Sequence, residues 1–266
     1  MIDKTKFYIN GEWVKPLKEN NFDVINPSTE ESYAQISLGS REDLDLAVQA
    51  AKDAFESWAF SEVNERISLV EEFISLYDKR ASDMAEAISS EMGAPITMAT
   101  NDQVTAGSKH MKNFISAMKN FKFEHPLRSD TPDEQMIYEP IGVCGLITPW
   151  NWPMNQVTLK VVPAILTGCT MILKPSEIAP MSSMLFSEMM DEIGFPSGVF
   201  NLVNGDGPTV GEAMSAHPDI DMMSFTGSTR AGIAVSKGSA NTIKRVALEL
   251  GGKGAAVVFD DVDLKE

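Results

Sequence analysis

The sequence predicts an α/β protein, a parallel sheet with covering helices, and three observations carry that reading. After Pro140, short apolar runs at residues 143–148, 170–173, 199–203, 222–225 and 255–259 alternate with helix-like stretches at 157–166, 182–193, 209–215 and 230–239. That is the order in which parallel strands are joined by crossover helices. Earlier in the chain, apolar residues recur at helical spacing instead. With 266 residues, 43% hydrophobic and 23% charged, the chain also holds enough apolar material for a sizeable core and too much for disorder.

The opening segment reads as a hairpin: Phe7-Tyr8-Ile9 and Glu12-Trp13-Val14 flank Asn10-Gly11, a pair that tolerates the positive φ of a tight turn. The pattern Ser40-Arg41-Glu42-Asp43 then precedes Leu44, Ala47, Val48, Ala51, Phe55 and Trp58, which predicts a capped amphipathic helix. A second helix is marked by Ile67, Val70, Phe73, Ile74 and Tyr77, with Gly93 and Pro95 as stop signals beyond Met92. A third spans residues 104–121. Pro126, Pro132 and the polar run Arg128-Ser129-Asp130-Thr131 break helical periodicity over residues 124–139, an excursion from the main body.

Asp and Glu number 38 against 22 Lys and Arg, a formal charge of -16. A surface so acidic repels a polyanionic backbone, which excludes nucleic acid as a partner. No apolar run approaches the roughly 18 residues of a membrane helix, and residues 1–13 lack a signal peptide's apolar stretch. Cys144 and Cys169 are the two cysteines, too few for a disulfide framework, so a cytoplasmic location is expected. Both read as buried small hydrophobes. His110, His125 and His217 lack metal-ligand spacing, and no metal site is expected.

Ligands of open α/β sheets bind beyond the carboxyl ends of the strands. The first such end is Ile147-Thr148-Pro149-Trp150-Asn151-Trp152-Pro153. Asn151, bracketed by two indoles, can donate its amide to a developing oxyanion or simply satisfy a turn. The second is Lys174-Pro175-Ser176-Glu177, where Glu177 can accept from a ribose diol with Lys174 as a second contact, or both can be solvated surface. Gly205-Asp206-Gly207-Pro208, with Gly211 beyond, faintly resembles a dinucleotide fingerprint or merely turns the chain. Phe225-Thr226-Gly227-Ser228-Thr229-Arg230-Ala231-Gly232 ends a strand and opens a helix, an N-terminus suited to phosphate or to an ordinary cap by Ser228 or Thr229. Finally Glu249, in Leu248-Glu249-Leu250-Gly251-Gly252-Lys253, is expected to be partly desolvated, with the raised pKa a general base needs, unless it only pairs with Lys253.

Taken together, the segments 148–153, 174–177, 225–229 and 249–253 resemble the aldehyde dehydrogenase superfamily in order and approximate spacing, and the likeness extends over essentially the whole chain. The resemblance implies a Rossmann-like NAD(P)-binding core at 140–251, with residues 1–123 as the hairpin and helices of the same domain. It further implies an oligomerisation arm at 124–139 and the start of a truncated catalytic domain at 252–266. It implies that a cysteine attacks the aldehyde, hydride passes to nicotinamide, and water hydrolyses the thioester to a carboxylic acid.

Carried over by position, Asn151 helps form the oxyanion hole and Glu249 activates the water. Ile147, Thr148, Pro149, Trp150, Asn151, Lys174, Ser176, Glu177, Gly207, Gly211, Phe225, Thr226, Gly227, Ser228, Glu249, Leu250 and Gly251 are the implied cofactor contacts. Glu177 favours NAD, since a carboxylate at the ribose repels the 2′-phosphate of NADP; Lys174 softens that preference and leaves NADP admissible. A small-molecule aldehyde and a homo-oligomeric full-length form are the implied partners.

One departure stands out. In the family the nucleophile follows the general base by a few tens of residues, whereas 17 residues follow Glu249 here and none is Cys. The expectation is therefore the N-terminal part of a longer enzyme, inactive alone. A non-catalytic NAD-binding or assembly module is the rival reading. A related semialdehyde or acyl-phosphate reductase is weaker, because the Glu249 segment favours hydrolytic deacylation.

Overall fold

The computed structural model describes residues 1–263. It begins with five short strands, β1 (Ile2–Lys4), β2 (Phe7–Ile9), β3 (Glu12–Val14), β4 (Asn21–Asn26) and β5 (Glu31–Ser37). Asn10 and Gly11 join β2 to β3 with φ of 55° and 77°, the two left-handed residues that match a tight turn to strand twist. Strands β1, β5 and β4 form a small separate sheet.

α1 (Arg41–Trp58) opens on the expected capping box: Ser40 Oγ accepts from Asp43 N, and the Asp43 carboxylate accepts from Ser40 N. The expected second helix is two, α2 (Val63–Lys79) and α3 (Ala81–Met92), divided at Arg80, whose φ of -98° and ψ of 20° lie in the bridge region. Gly93 closes α3 in the left-handed region with φ of 76°. A single turn, α4 (Ile96–Met98), and a π-helical segment at Ala99–Val104 lead into α5 (Thr105–Asn120). β6 (Glu124–Arg128) and β7 (Thr131–Ile137) then pair as an exposed antiparallel hairpin where the excursion was expected.

Beyond it strands and helices alternate: β8 (Val143–Ile147), α6 (Pro153–Leu166), β9 (Thr170–Lys174), α7 (Met181–Glu192) and β10 (Phe200–Leu202). A π-helical turn (Gly207–Gly211) runs into α8 (Glu212–Ala216), followed by β11 (Met222–Gly227), α9 (Thr229–Ser239) and β12 (Arg245–Leu250). The five strands β8 to β12 lie parallel in the order β12-β11-β8-β9-β10, and the β2–β3 hairpin extends the sheet antiparallel beside β10. Successive residues pack to opposite faces. Cys144, Leu146, Met171 and Leu173 join one core with side chains of α2, α3, α5, α6 and α7. Val143, Ile147, Ile172, Met223 and Phe225 join another with α1, α8 and α9.

The fifth expected strand, 255–259, does not form. Val257, Val258 and Phe259 are 69%, 68% and 72% exposed, and the sheet closes instead on β12. An apolar run becomes a strand only beside a partner that takes its backbone hydrogen bonds; beyond the edge strand the described residues offer none. The last three residues of the expected 252–266 segment lie outside the described residues.

Glu91 of α3 is buried and accepts from Met181 N and Ser182 N, satisfying the first amides of α7. Burial pushes its pKa from 4.5 up to about 7, against the opposing pull of its hydrogen bonds. The folded chain therefore holds a proton there that the unfolded chain has released. The stability this confers is complete below about pH 4.5 and is lost as pH rises through about 7. Thermal and denaturant unfolding across pH 5 to 8 should show a decline on the order of 3 kcal/mol from this group. Glu91→Gln, which keeps a carbonyl for both amides, should flatten it; an undiminished slope in the variant would place the proton elsewhere.

Candidate functional site

From β8 the chain builds outward through β9 and β10, then returns to the other side of β8 for β11 and β12. Connections on the two sides of such a reversal diverge and leave a crevice beyond the strand ends. Here it is a cleft of about 450 Å³ that gathers Ile147, Lys174, Gly207, Gly211 and Phe225. The sheet sets its floor: Ile147 is in register with both Phe225 on β11 and Lys174 on β9. Its walls are the π-helical turn with α8 on one side and α9 on the other.

Pro208, Glu212 and Ser215 from the first wall and Arg230, Ala231, Ala234 and Val235 from the second also line it; none is among the expected cofactor contacts, although Pro208, Arg230 and Ala231 stand within the expected motifs. Their signal was present, since Ala231, Ala234 and Val235 stand at helical spacing after the Ser228 turn and form a strip of small side chains on one face.

Lys174 is 3% exposed. Its Nζ donates to the carbonyls of Pro175 and Gly205 and lies 3.6 Å from Glu177 Oε2. Burial pushes its pKa down, while the Glu177 and Asp206 carboxylates oppose that shift. This lysine ties the end of β9 to the loop after β10. Ser176 Oγ accepts from Ile178 N at 3.3 Å in the turn that carries the half-buried Glu177.

The glycines divide by cause. At Gly211 a Cβ would touch nothing closer than 3.7 Å, with Ile147 Cδ1 and Lys174 Cε each at 3.8 Å, so this chain's own packing leaves space that a side chain would fill. At Gly227 a Cβ would lie 2.6 Å from the Phe225 ring, so that glycine answers to the neighbouring ring. Asp206 Oδ1 accepts from Thr209 N at 2.7 Å, and Gly207 belongs to a capped turn. Ser228 Oγ accepts from Ala231 N at 3.2 Å, the capping alternative for that residue. Beside it, Thr226 Oγ1 is buried with no hydrogen-bond partner among the described residues.

Other expected residues sit outside the cleft lining. Thr148 is buried, its N–H donating to Lys174 O at 3.2 Å, and Pro149 is half-buried. Trp150 and Asn151 are exposed at the bend before α6. Glu249 and Leu250 are in register with Thr226 and Gly227, which places them at the same end of the sheet, and Gly251 follows as exposed, irregular chain. The expected desolvation of Glu249 is not met: it is exposed because β12 is the edge and no further strand covers it among the described residues. Among those residues no His, Cys, Asp and Glu group is placed to hold a metal, and no helix is long and apolar enough to cross a membrane.

The model of the aldehyde dehydrogenase family matches residues 13–266. The chain belongs to this family. A 3-succinoylsemialdehyde-pyridine dehydrogenase from a Pseudomonas species is 50% identical over the whole chain, which covers 55% of that relative. The crystal structure of an aldehyde dehydrogenase from Bartonella henselae superposes with a TM-score of 0.98 at 58% identity, covering all of this chain and 56% of that one. Aldehyde dehydrogenase C from Pseudomonas syringae, a variant in complex with NAD+ and octanal, gives 0.93 at 46% identity, with 97% and 53% covered. The chain thus spans about half the length of these family members.

Lys174→Met keeps the stem and removes the donor that two buried carbonyls share. It should lower the unfolding free energy by about 2–4 kcal/mol, read by denaturant titration. Undiminished stability would mean the Pro175 and Gly205 carbonyls are satisfied without it.

Proposed function

We propose that this chain is the NAD(P)-binding part of an enzyme that oxidises an aldehyde to a carboxylic acid, with NAD the preferred cofactor. The observation that carries the reading is the narrow cleft at the reversal point of the parallel sheet, lined at one end by Ile147, Lys174, Gly211 and Phe225. Its residues fit a dinucleotide. The small apolar strip on α9 suits a flat ring, Gly211 leaves room beside it, and Glu177 next to Lys174 suits a ribose diol. Ser228 and Gly227 stand at a helix N-terminus of the kind that attracts a pyrophosphate, and Thr226 Oγ1 is a buried hydroxyl in want of a partner. The carboxylate of Glu177 disfavours a 2′-phosphate, which ranks NAD above NADP.

When bound, the cofactor supplies a hydride acceptor. The chain's own contributions are an amide donor at Asn151, aimed at the oxyanion, and a carboxylate at Glu249 that takes a proton from the hydrolytic water. Thr148, Pro149 and Trp150 hold Asn151 in place, while Leu250 and Gly251 carry the backbone past the reacting end. Cys144 and Cys169 are both buried in the sheet on the face away from the cleft. We assign the attacking sulfur to the part of the relatives' length that this chain does not span, and expect the 266 residues alone to be inactive. The β6–β7 hairpin, with Leu127, Ile137 and Tyr138 exposed, is the arm through which the full-length protein forms a homo-oligomer in the cytoplasm.

Two variants test the reading. Gly211→Leu enters space the fold leaves free, so the unfolding midpoint should hold while NAD binding, measured by titration calorimetry, weakens at least about tenfold; unchanged affinity would remove the ring from this cleft. Glu249→Gln in the complete enzyme should slow steady-state aldehyde turnover far more than the pre-steady-state burst of NADH, and equal loss of both would deny Glu249 the role of base.

A further inference from the structure

The two helices that wall the cleft are pressed together at one end. At their carboxyl ends a Cβ on Gly238 of α9 would lie 2.9 Å from Ser215 Cβ on α8, and Ser239 Oγ donates to Ser215 O at 3.4 Å. Glycine admits that close approach, so packing shuts the cleft there. The cleft lies toward the amino ends, where Glu212 opens α8 and Arg230 stands in the first turn of α9. Both line it, one on each wall.

These two side chains have no work within the fold. Both are exposed, and among the described residues neither makes an ion pair or a side-chain hydrogen bond. An arginine in the first turn of a helix also stands at the positive end of the macrodipole, where a cation is disfavoured. Opposite charges held apart across a cleft are free to engage what enters it.

Deeper in, the lining is apolar or small. Ala231, Ala234 and Val235 stand on one side, Pro208 and Gly211 on the other. A flat ring taken between such walls has both faces covered and keeps its edge toward the mouth. The edge therefore meets Glu212 and Arg230. An adenine edge presents the N6 amine as donor beside the ring acceptor N1. A carboxylate accepts and a guanidinium donates, so the pair matches that order. Hypoxanthine reverses it, since its O6 accepts and its N1–H donates. A carboxylate opposite O6 then sets two acceptors against each other, and a guanidinium opposite N1–H sets two donors.

We propose that Glu212 and Arg230 are specificity-determining residues that read the adenine edge of the dinucleotide, Glu212 accepting from the N6 amine and Arg230 donating to N1. The inference rests on the assignment of this cleft to a dinucleotide and goes beyond it: the apolar walls accept any purine, and the charged pair at the mouth selects adenine.

The test is titration calorimetry of the full-length protein with NAD and with its analogue nicotinamide hypoxanthine dinucleotide. The unaltered protein should bind NAD about fivefold to tenfold more tightly than the analogue. Glu212→Ala should bring the two affinities together, and Arg230→Ala should weaken NAD more than the analogue. Glu212→Gln, whose amide turns either its oxygen or its NH₂ toward the ring, should weaken NAD while tightening the analogue, a gain that damaged packing would not produce. Equal affinity of the unaltered protein for the two dinucleotides, or a preference that survives Glu212→Ala, would overturn the proposal and leave the assignment of the cleft standing. Failure of both dinucleotides to bind would overturn that assignment and this inference with it.

Discussion

The ladder between β8 and β9 pairs Val143 with Thr170 and continues residue by residue to Ile147 with Lys174, and every residue of both strands is buried. A parallel strand covered on both faces has two sets of side chains committed at once. Slipping the register by one would drive Cys144 and Leu146 into the core that holds Val143 and Ile147, and the converse. Register is therefore fixed by packing alone, and it determines what stands at the carboxyl edge. Ile147 arrives level with Lys174 on one side and Phe225 on the other. The floor of the cleft is a by-product of the core.

Where the ladder ends, two buried ionisable groups take over the task of holding backbone in place. Lys174 gathers the Pro175 and Gly205 carbonyls from two different connections, and Glu91 gathers the first amides of α7. Each group satisfies backbone that the sheet or helix leaves unpaired. Neither is a cheap device: desolvation pushes the lysine's pKa down and the glutamate's up. What they supply is position, since burying an ionisable group is weak evidence of net stabilisation, while leaving the backbone it satisfies unpaired is costly.

The elements legible from sequence are those whose physics is local. The Asn10-Gly11 turn, the Ser40–Asp43 box and the uninterrupted apolar runs of β8 and β9 each carry their own instruction. The break at Arg80 was not legible, because helical spacing continues on both sides of it. β12 is absent from the expected strands and 255–259 is expected among them for related reasons. Arg245 and Glu249 interrupt the apolar pattern of the first, while the second has the pattern but no neighbour. Of the expected site residues, Ile147, Lys174 and Phe225 at strand ends converge on the cleft with Gly207 and Gly211, whereas the helical spacing of Ala231, Ala234 and Val235 marks a face of α9 without showing what that face lines. The exposure of Glu249 depends on what lies beyond the edge of the sheet, which its flanking leucines cannot encode.

The same alternation that builds the core keeps the cleft and the two cysteines on opposite faces. Ile147 and Cys144 stand three residues apart on one strand and so point to opposite faces, one toward the cleft and the other toward an aromatic-walled cavity. Cys169 faces the same way as Cys144, and both join the same core. A sulfur on that face has the full thickness of the sheet between it and anything seated on Gly211 and Ala231.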